Sequence, residues 1–291
     1  MKLPVSMRWR RWIIVMLLPW IVGCSALRLS YNQGPTLAYW WLDGYADFHP
    51  EQAPRVKNAL TDWFAWHRAT QLADYAQALA DVRGLAVNPV TAAQVCSEIE
   101  AWRQRAQRAF DQAVPALATQ VRTMTVAQIE HLEQRQAAQH AERLADYLQA
   151  SPDERQKAAL QRALDRAETL YGTLTDAQRQ ALAEAQAASP FNAELWLAEL
   201  QLRNAEVVRS LRQWHTERAH AATVQAGLRR LAAETGHSPR AAYRAQARRV
   251  SQANCALMAQ VHNGTTPAQR QHAIDKLQGW EDDLRALADP R

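Results

Sequence analysis

Glycine is scarce in this sequence, with 9 among 291 residues, whereas alanine, leucine, glutamine, arginine and glutamate dominate. A chain with so little glycine and so many helix formers offers few of the turns that separate β-strands. No alternating run of apolar and polar residues is long enough to predict a strand. Because hydrophobic residues make up 48% of the chain, global disorder is excluded as well. The composition therefore predicts an all-α protein with a buried core.

Acidic residues are missing from residues 1–23, and this local absence accounts for most of the net charge. The whole chain carries +5, but residues 1–23 contain four basic side chains. The remainder has 30 basic and 29 acidic side chains, so it is almost neutral. A nearly neutral body lacks the basic footprint that binds phosphate backbones, and we expect no nucleic acid partner.

An apolar run long enough to cross a bilayer is also lacking near the N-terminus. Residues 12–22 form an apolar run of 11 residues behind the basic start. A helix that crosses a bilayer needs about 20 such residues, so this run has the length of a signal-peptide core instead. The small residues Gly23, Cys24 and Ser25 follow it. The pattern predicts a signal peptide, and an uncleaved signal anchor that buries Cys24 is the alternative.

The residues before Cys24 carry a specific motif. Ile21, Val22, Gly23 and Cys24 resemble the lipobox of bacterial lipoproteins, with an aliphatic residue three positions before the cysteine and a small residue directly before it. The resemblance implies cleavage between Gly23 and Cys24, a diacylglycerol thioether on Cys24, and acylation of the new amine by a fatty acid such as palmitate. Several acyl chains anchor a protein stably where one is marginal. A lipid bilayer is therefore the first partner that we expect.

This resemblance sets the expected domains and location. We assign residues 1–23 to a lipoprotein signal peptide, 24–35 to a lipidated tether and 36–291 to a helical periplasmic domain. In lipoproteins of this kind, an Asp after the cysteine favours retention in the inner membrane. Ser25 stands there instead. It implies an outer-membrane anchor with the body in the periplasm, and the periplasmic face of the inner membrane is the alternative.

Signals for helix starts recur through the remaining chain. In a capping box, a Ser or Thr side chain accepts from the amide three residues later, and the Gln or Glu there bonds back. Between these signals the apolar spacing is helical, which predicts an elongated bundle of long antiparallel helices. Pro115 should kink or split the helix that it interrupts. Five boxes begin at Thr91, Thr125, Ser151, Thr175 and Thr266, and Ser189-Pro190 and Ser238-Pro239 resemble two further starts.

Two cysteines remain when Cys24 is lipidated. In an oxidising compartment Cys96 and Cys255 could form a disulfide. The bridge would close a loop of about 160 residues and stabilise the fold by roughly 5 kcal/mol in the chain-entropy model. Two buried free thiols on helix faces are the alternative, since a sequence does not fix the distance between two Cα atoms.

Aromatic residues concentrate just beyond the predicted anchor. Trp40, Trp41, Asp43 and Tyr45 form a possible binding cluster, either as a ligand groove or as an aromatic belt at a lipid surface. The alternative is that these large side chains build one end of the bundle core.

Motifs for enzyme or metal chemistry are missing. Asp43 and Asp47 have the spacing of a paired-carboxylate site, but two like charges on one exposed helix face are the commoner explanation of such a pair. His215 and His220 are five residues apart, so their rings diverge on a helix instead of converging on a metal. No glycine-rich phosphate loop, nucleophile elbow or CxxC pair occurs. We expect no catalytic residue, metal site or cofactor.

Two family resemblances complete the sequence evidence. Tyr31-Asn32-Gln33 and the run YWWLDGY at residues 39–45 resemble a family of uncharacterised Gram-negative lipoproteins classed as a domain of unknown function. That likeness implies lipidation and a helical periplasmic body, but brings no established activity. Met124-Thr-Val-Ala-Gln128 and Leu174-Thr-Asp-Ala-Gln178 resemble the twin LTxxQ motifs of the small periplasmic Spy/CpxP stress proteins, with a departure at Met124. Each motif is also a generic capping box.

These observations support a function of binding and not of catalysis. We expect a non-enzymatic, membrane-anchored periplasmic lipoprotein with an interaction or structural role in the cell envelope and an envelope protein as partner. The alternative is a Spy/CpxP-like chaperone or envelope-stress modulator that binds unfolded protein. Neither the partner nor the oligomeric state follows from the sequence.

Overall fold

In a computed structural model of the protein, the structure describes residues 26–289. This part of the chain contains twelve helices and no strand, so the all-α prediction is confirmed. The predicted signal peptide, with Gly23 and Cys24 at its predicted cleavage site, lies outside the described residues. The helices are α1 (Ala26–Asn32), α2 (Gly34–Ala46), α3 (Ala53–Thr70), α4 (Leu72–Leu85), α5 (Ala92–Val121), α6 (Val126–Tyr147), α7 (Pro152–Tyr171), α8 (Asp176–Ala187), α9 (Ala193–Thr216), α10 (Ala221–Gly236), α11 (Ala241–Asn263) and α12 (Pro267–Ala288).

All five predicted capping boxes start helices, namely α5, α6, α7, α8 and α12. The two Ser-Pro pairs start helices less directly. Each serine accepts a hydrogen bond from the amide two residues later, and the helix begins only after Asn192 or Arg240. The N3 Gln or Glu is therefore the informative part of the signal, because it satisfies a second backbone amide.

The predicted split at Pro115 does not occur. Helix α5 continues from Ala92 to Val121 through this proline. Pro115 removes one backbone hydrogen bond, but Val114 and Ala118 beside it are fully buried. Packing of these two side chains holds the helix together across the missing bond.

The segment assigned to the tether belongs in large part to the folded body. Residues 26–32 form α1, and α2 follows after Gln33. The Arg28 Nε donates to Asp283 Oδ1 of α12 at 2.7 Å. The stretch from Ala26 is therefore helical and attached to the C-terminal helix.

The last helix packs along the first part of the chain, so the two ends of the described chain lie together. The guanidinium of Arg68 donates to the Leu287 carbonyl, Arg83 pairs with Glu281, and Arg270 donates to the Val87 carbonyl. As residue numbers rise along α3 and α4, those of their partners on α12 fall, so α12 runs antiparallel to them. Helix α5, with 30 residues, contacts α10 and α11.

A disulfide joins Cys96 on α5 to Cys255 on α11. The two Cα atoms are 5.4 Å apart, and Cys255 is fully buried. Because 159 positions separate the two cysteines, the bond links distant parts of the sequence.

Two pairs of helix N-termini are joined by reciprocal glutamine side chains, which we call the first and second junctions. At the first junction, Gln52 and Gln128 bond to each other, and their amide groups donate to the carbonyls of Thr123 and Asp47. At the second junction, Gln178 and Gln269 bond to each other, and their amide groups donate to the carbonyls of Gly264 and Thr173. Gln128, Gln178 and Gln269 also cap their own helices, whereas Gln52 Oε1 accepts from the His49 amide in the turn before α3. Each glutamine holds the loop before another helix.

Each junction adjoins one hydrophobic core. Met124, next to the first junction, packs with Ile129, Leu211 and Val224 from α6, α9 and α10. Leu174, next to the second, packs with Leu164 and Leu182 from α7 and α8.

Candidate functional site

An exposed apolar surface follows directly after the predicted anchor. It consists of Leu29 on α1 and Leu37, Trp40 and Trp41 on α2, and we call it the α1–α2 surface. The exposed fractions are 62% for Leu29, 64% for Trp40 and 63% for Trp41. Helix α2 contains one charged residue, Asp43. Concentrations of large exposed apolar side chains are typical of surfaces that bind protein, ligand or membrane.

The opposite side of α2 forms one wall of an apolar cavity. This α2 cavity has a volume of about 730 Å³ and lies between α2, α3, α5, α6, α9 and α10. Leu42 and Tyr45 of α2 line it together with Leu117 of α5 and Leu132 of α6. Helix α2 is therefore apolar on two sides, and only one of them is covered by protein.

Helical spacing in α3 builds the second wall. Val56, Ala59, Leu60, Trp63 and Phe64 follow the i, i+3, i+4, i+7 and i+8 pattern, so their side chains lie on one face, and all five line the cavity. The indole N–H of Trp63 donates to the Ala109 carbonyl at 2.9 Å, which satisfies its polar atom and leaves its ring to the wall.

Close approach of α2 to α3 depends on Gly34. A Cβ at this position would lie 2.3 Å from Cε1 of Phe64, well inside van der Waals contact. The glycine therefore lets the start of α2 reach Phe64 on the cavity wall.

Alanines explain why the space between these helices is not filled. Ala38, Ala59, Ala113 and Ala116 occupy wall positions on α2, α3 and α5. A methyl group projects little into the space, so the longer side chains around it do not meet. Leu42, Leu60 and other wall residues consequently stay half-buried.

The polar groups of this cavity are few. Asp62, Gln112, Gln120 and the phenol of Tyr45 belong to its lining. The Tyr45 hydroxyl is a hydrogen-bond partner of Gln139 on α6. The guanidinium of Arg135 stands 5.8 Å from the Tyr45 ring centroid, which places a cation beside the wall between α2 and α6.

The cluster predicted from the sequence does not converge on one site. Trp40 and Trp41 belong to the α1–α2 surface, whereas Tyr45 lines the cavity and packs against Trp41 at 5.0 Å between ring centroids. Asp43 Oδ1 accepts from the Phe48 amide at 3.0 Å, so this carboxylate caps the end of α2. Asp47 has φ 45° and its carbonyl accepts from Gln128. Both acids are thus part of the turn after α2.

Two tyrosine–histidine pairs lie inside the fold and were missed in the sequence. Tyr31 Oη is 2.9 Å from His67 Nδ1, and Tyr171 Oη is 3.0 Å from His262 Nδ1. Burial lowers the pKa of both histidines below 6.5, and burial raises the pKa of Tyr171 to about 12. His262 Nε2 also bonds the Asn88 carbonyl, so the neutral ring is held at both nitrogens.

Between residues 26 and 289, His, Cys, Asp and Glu side chains form no group of three or more that could hold a metal ion. In the same range, no helix combines the length and the apolar character that a bilayer span requires.

Comparison with known proteins places the chain in a family. Residues 44–234 match the model of a family described as a family of unknown function (DUF6279). This range contains the first junction and most of the cavity lining, and it excludes α1 and most of α2. Neither the curated proteins nor the solved structures include a significant match to the chain.

Proposed function

The chain belongs to the family of unknown function (DUF6279), and we propose that it is a membrane-anchored envelope lipoprotein that acts by binding and not by catalysis. In this proposal the signal peptide is removed after Gly23, and acylated Cys24 holds the body at the periplasmic face of the outer membrane. The inner membrane is the alternative location.

The α1–α2 surface is the observation that carries this proposal. It begins within a few residues of Cys24, and its side chains are exposed although they are large and apolar. Leucine and tryptophan are the residues with which interfacial helices enter the boundary between lipid headgroups and acyl chains. A lipid anchor at Cys24 would bring this surface to the bilayer, where its exposure to water ends.

Quenching of tryptophan fluorescence by brominated phospholipids tests this contact. The full-length lipidated protein is reconstituted in phosphatidylcholine vesicles with bromines at a known depth. The Trp40→Phe/Trp41→Phe variant should lose most of the quenching that the wild type shows. Trp196→Phe is the matched control, since Trp196 packs against Tyr147 at 4.7 Å between ring centroids, away from α1 and α2. Equal quenching in wild type and double variant would contradict the proposal.

Binding of unfolded protein is a second candidate function. The apolar lining of the α2 cavity favours it, because a chaperone needs an exposed apolar surface. Suppression of aggregation of a reduced, denatured client by the full-length protein tests it. A client that aggregates equally fast with and without the protein would exclude this candidate.

A further inference from the structure

We propose that the α2 cavity binds one acyl chain of a membrane phospholipid. The choice of occupant rests on the membrane location proposed above, whereas the cavity itself does not. Its volume of about 730 Å³ lies within the range of roughly 300–1,000 Å³ that ligand sites in proteins occupy. The space has the size of a binding site and not of a packing defect.

The lining discriminates between classes of occupant. An unfolded polypeptide would bring backbone N–H and C=O groups into the cavity, and each would need a hydrogen-bond partner. The walls supply few, since apolar side chains such as Leu42, Leu60 and Leu132 dominate the lining. An acyl chain brings no polar atom, so nothing is left unpaired when it enters. The chemistry therefore favours lipid over peptide.

The position of α2 says where the chain would come from. One side of this helix carries Trp40 and Trp41 on the α1–α2 surface, and the other side lines the cavity. A lipid in contact with the α1–α2 surface is thus separated from the α2 cavity only by helix α2. Beside the same wall, Arg135 stands over the Tyr45 ring, and a guanidinium is a suitable partner for a lipid phosphate.

Photo-crosslinking in living cells tests the proposal on the full chain. Cells are fed a palmitic acid analogue that carries a diazirine and a terminal alkyne, and the protein is purified before and after irradiation. Alkyne label on the Cys24 peptide without irradiation reports acylation, which belongs to the proposed function. Label that requires irradiation and maps to α3 or the second half of α5, away from the α1–α2 surface, reports the cavity. The two ideas can therefore fail separately.

The expected adducts lie on the cavity walls. Peptides from α3 and the second half of α5, which line the cavity and are not part of the α1–α2 surface, should carry the mass of a whole phospholipid after irradiation. Adducts confined to other helices, or adducts with another protein at these walls, would overturn the proposal. A link between the walls and the Cys24 peptide of the same molecule would overturn the assignment to a bilayer lipid.

A matched pair of variants on one helix sharpens the result. Ala116→Trp fills the cavity from α5 and should lower irradiation-dependent wall labelling at least fivefold. Ala106→Trp introduces the same side chain at an exposed position of α5 and should leave labelling within twofold of wild type. Unchanged labelling in Ala116→Trp, with the protein folded and equally abundant, would contradict the proposal. If that variant does not accumulate, the wild-type adduct map decides.

Discussion

The first junction pairs Gln52 with Gln128, and the second junction pairs Gln178 with Gln269. In both, the two side chains bond to each other, and each also donates to a backbone carbonyl just before the partner's helix. The apolar residue before each LTxxQ threonine is buried in both. Beside Met124 lies the α2 cavity of about 730 Å³, whereas the void beside Leu174 measures about 50 Å³. The same reciprocal glutamine pair therefore occurs beside a large cavity and beside a well-filled core, so the pair does not determine how the core packs. Side-chain volume determines the packing, because alanines line the α2 cavity whereas leucines fill the core beside the second junction.

The largest loss of unfolding free energy is expected from removing the disulfide between α5 and α11. Substituting alanine for both Cys96 and Cys255 should destabilise the protein by about 2–5 kcal/mol, because the bridge restricts a long loop in the unfolded chain. Urea unfolding with and without dithiothreitol measures this. The reductant should shift the midpoint of wild type and leave the double variant unchanged. A wild-type midpoint that does not respond to reduction would contradict the prediction.

The two interiors should respond differently to truncation. Leu182→Ala removes a buried side chain from the closed second core and should cost about 2–5 kcal/mol of unfolding free energy. Leu132→Ala removes a half-buried side chain at the edge of an existing cavity and should cost about 1 kcal/mol, since less transfer free energy is lost. Urea denaturation of both variants measures the difference. Equal costs would mean that the cavity region is packed like the other core.

The two junctions should respond alike. Gln52→Ala and Gln269→Ala each leave a carbonyl and a glutamine partner with fewer hydrogen bonds, at about 1–3 kcal/mol per substitution. Both side chains are buried, so water does not replace them readily. Thermal unfolding at one pH suffices to compare them. A cost at one junction and none at the other would show that the pairs are not equivalent.

The smallest effect is the loss of unfolding free energy when the pH is lowered. The pKa values of His67 and His262 are lowered in the folded state, so the unfolded chain binds more protons below its own pKa near 6.5. The stability contributed by the neutral rings is complete above that pH and is lost as the pH falls below it. Unfolding free energies at pH 7.5 and 5.5 should therefore decrease less in His67→Asn and His262→Asn than in wild type. An equal decrease would mean that these rings are not responsible.

Much of the fold, but little of the cavity, could be predicted from the sequence. All five capping boxes start helices, because the signal is local: Thr or Ser and a partner three residues later lie on one turn. The second bond of Gln52 or Gln269, to a helix far along the chain, leaves no local mark. Helix α1 was missed because seven residues are too few for a periodic pattern.

The cavity eluded prediction for a related reason. Its lining comes from six helices, and absent volume at Ala59 or Ala116 has no sequence signature of its own. The stripe from Val56 to Phe64 was the available signal, since it shows an apolar face on α3. Whether that face meets a filled or an open partner depends on residues of five other helices, from Ala38 on α2 to Leu228 on α10.

Methyl NMR under xenon pressure tests most directly whether the first interior is open and the second closed. Xenon enters apolar cavities that have no other occupant. With a delipidated protein, the methyl signals of Leu42, Leu132 and Val207 should shift with pressure, while those of Leu164 and Leu182 stay in place. Shifts of equal size in both groups, or none around Leu42 and Leu132, would contradict the account.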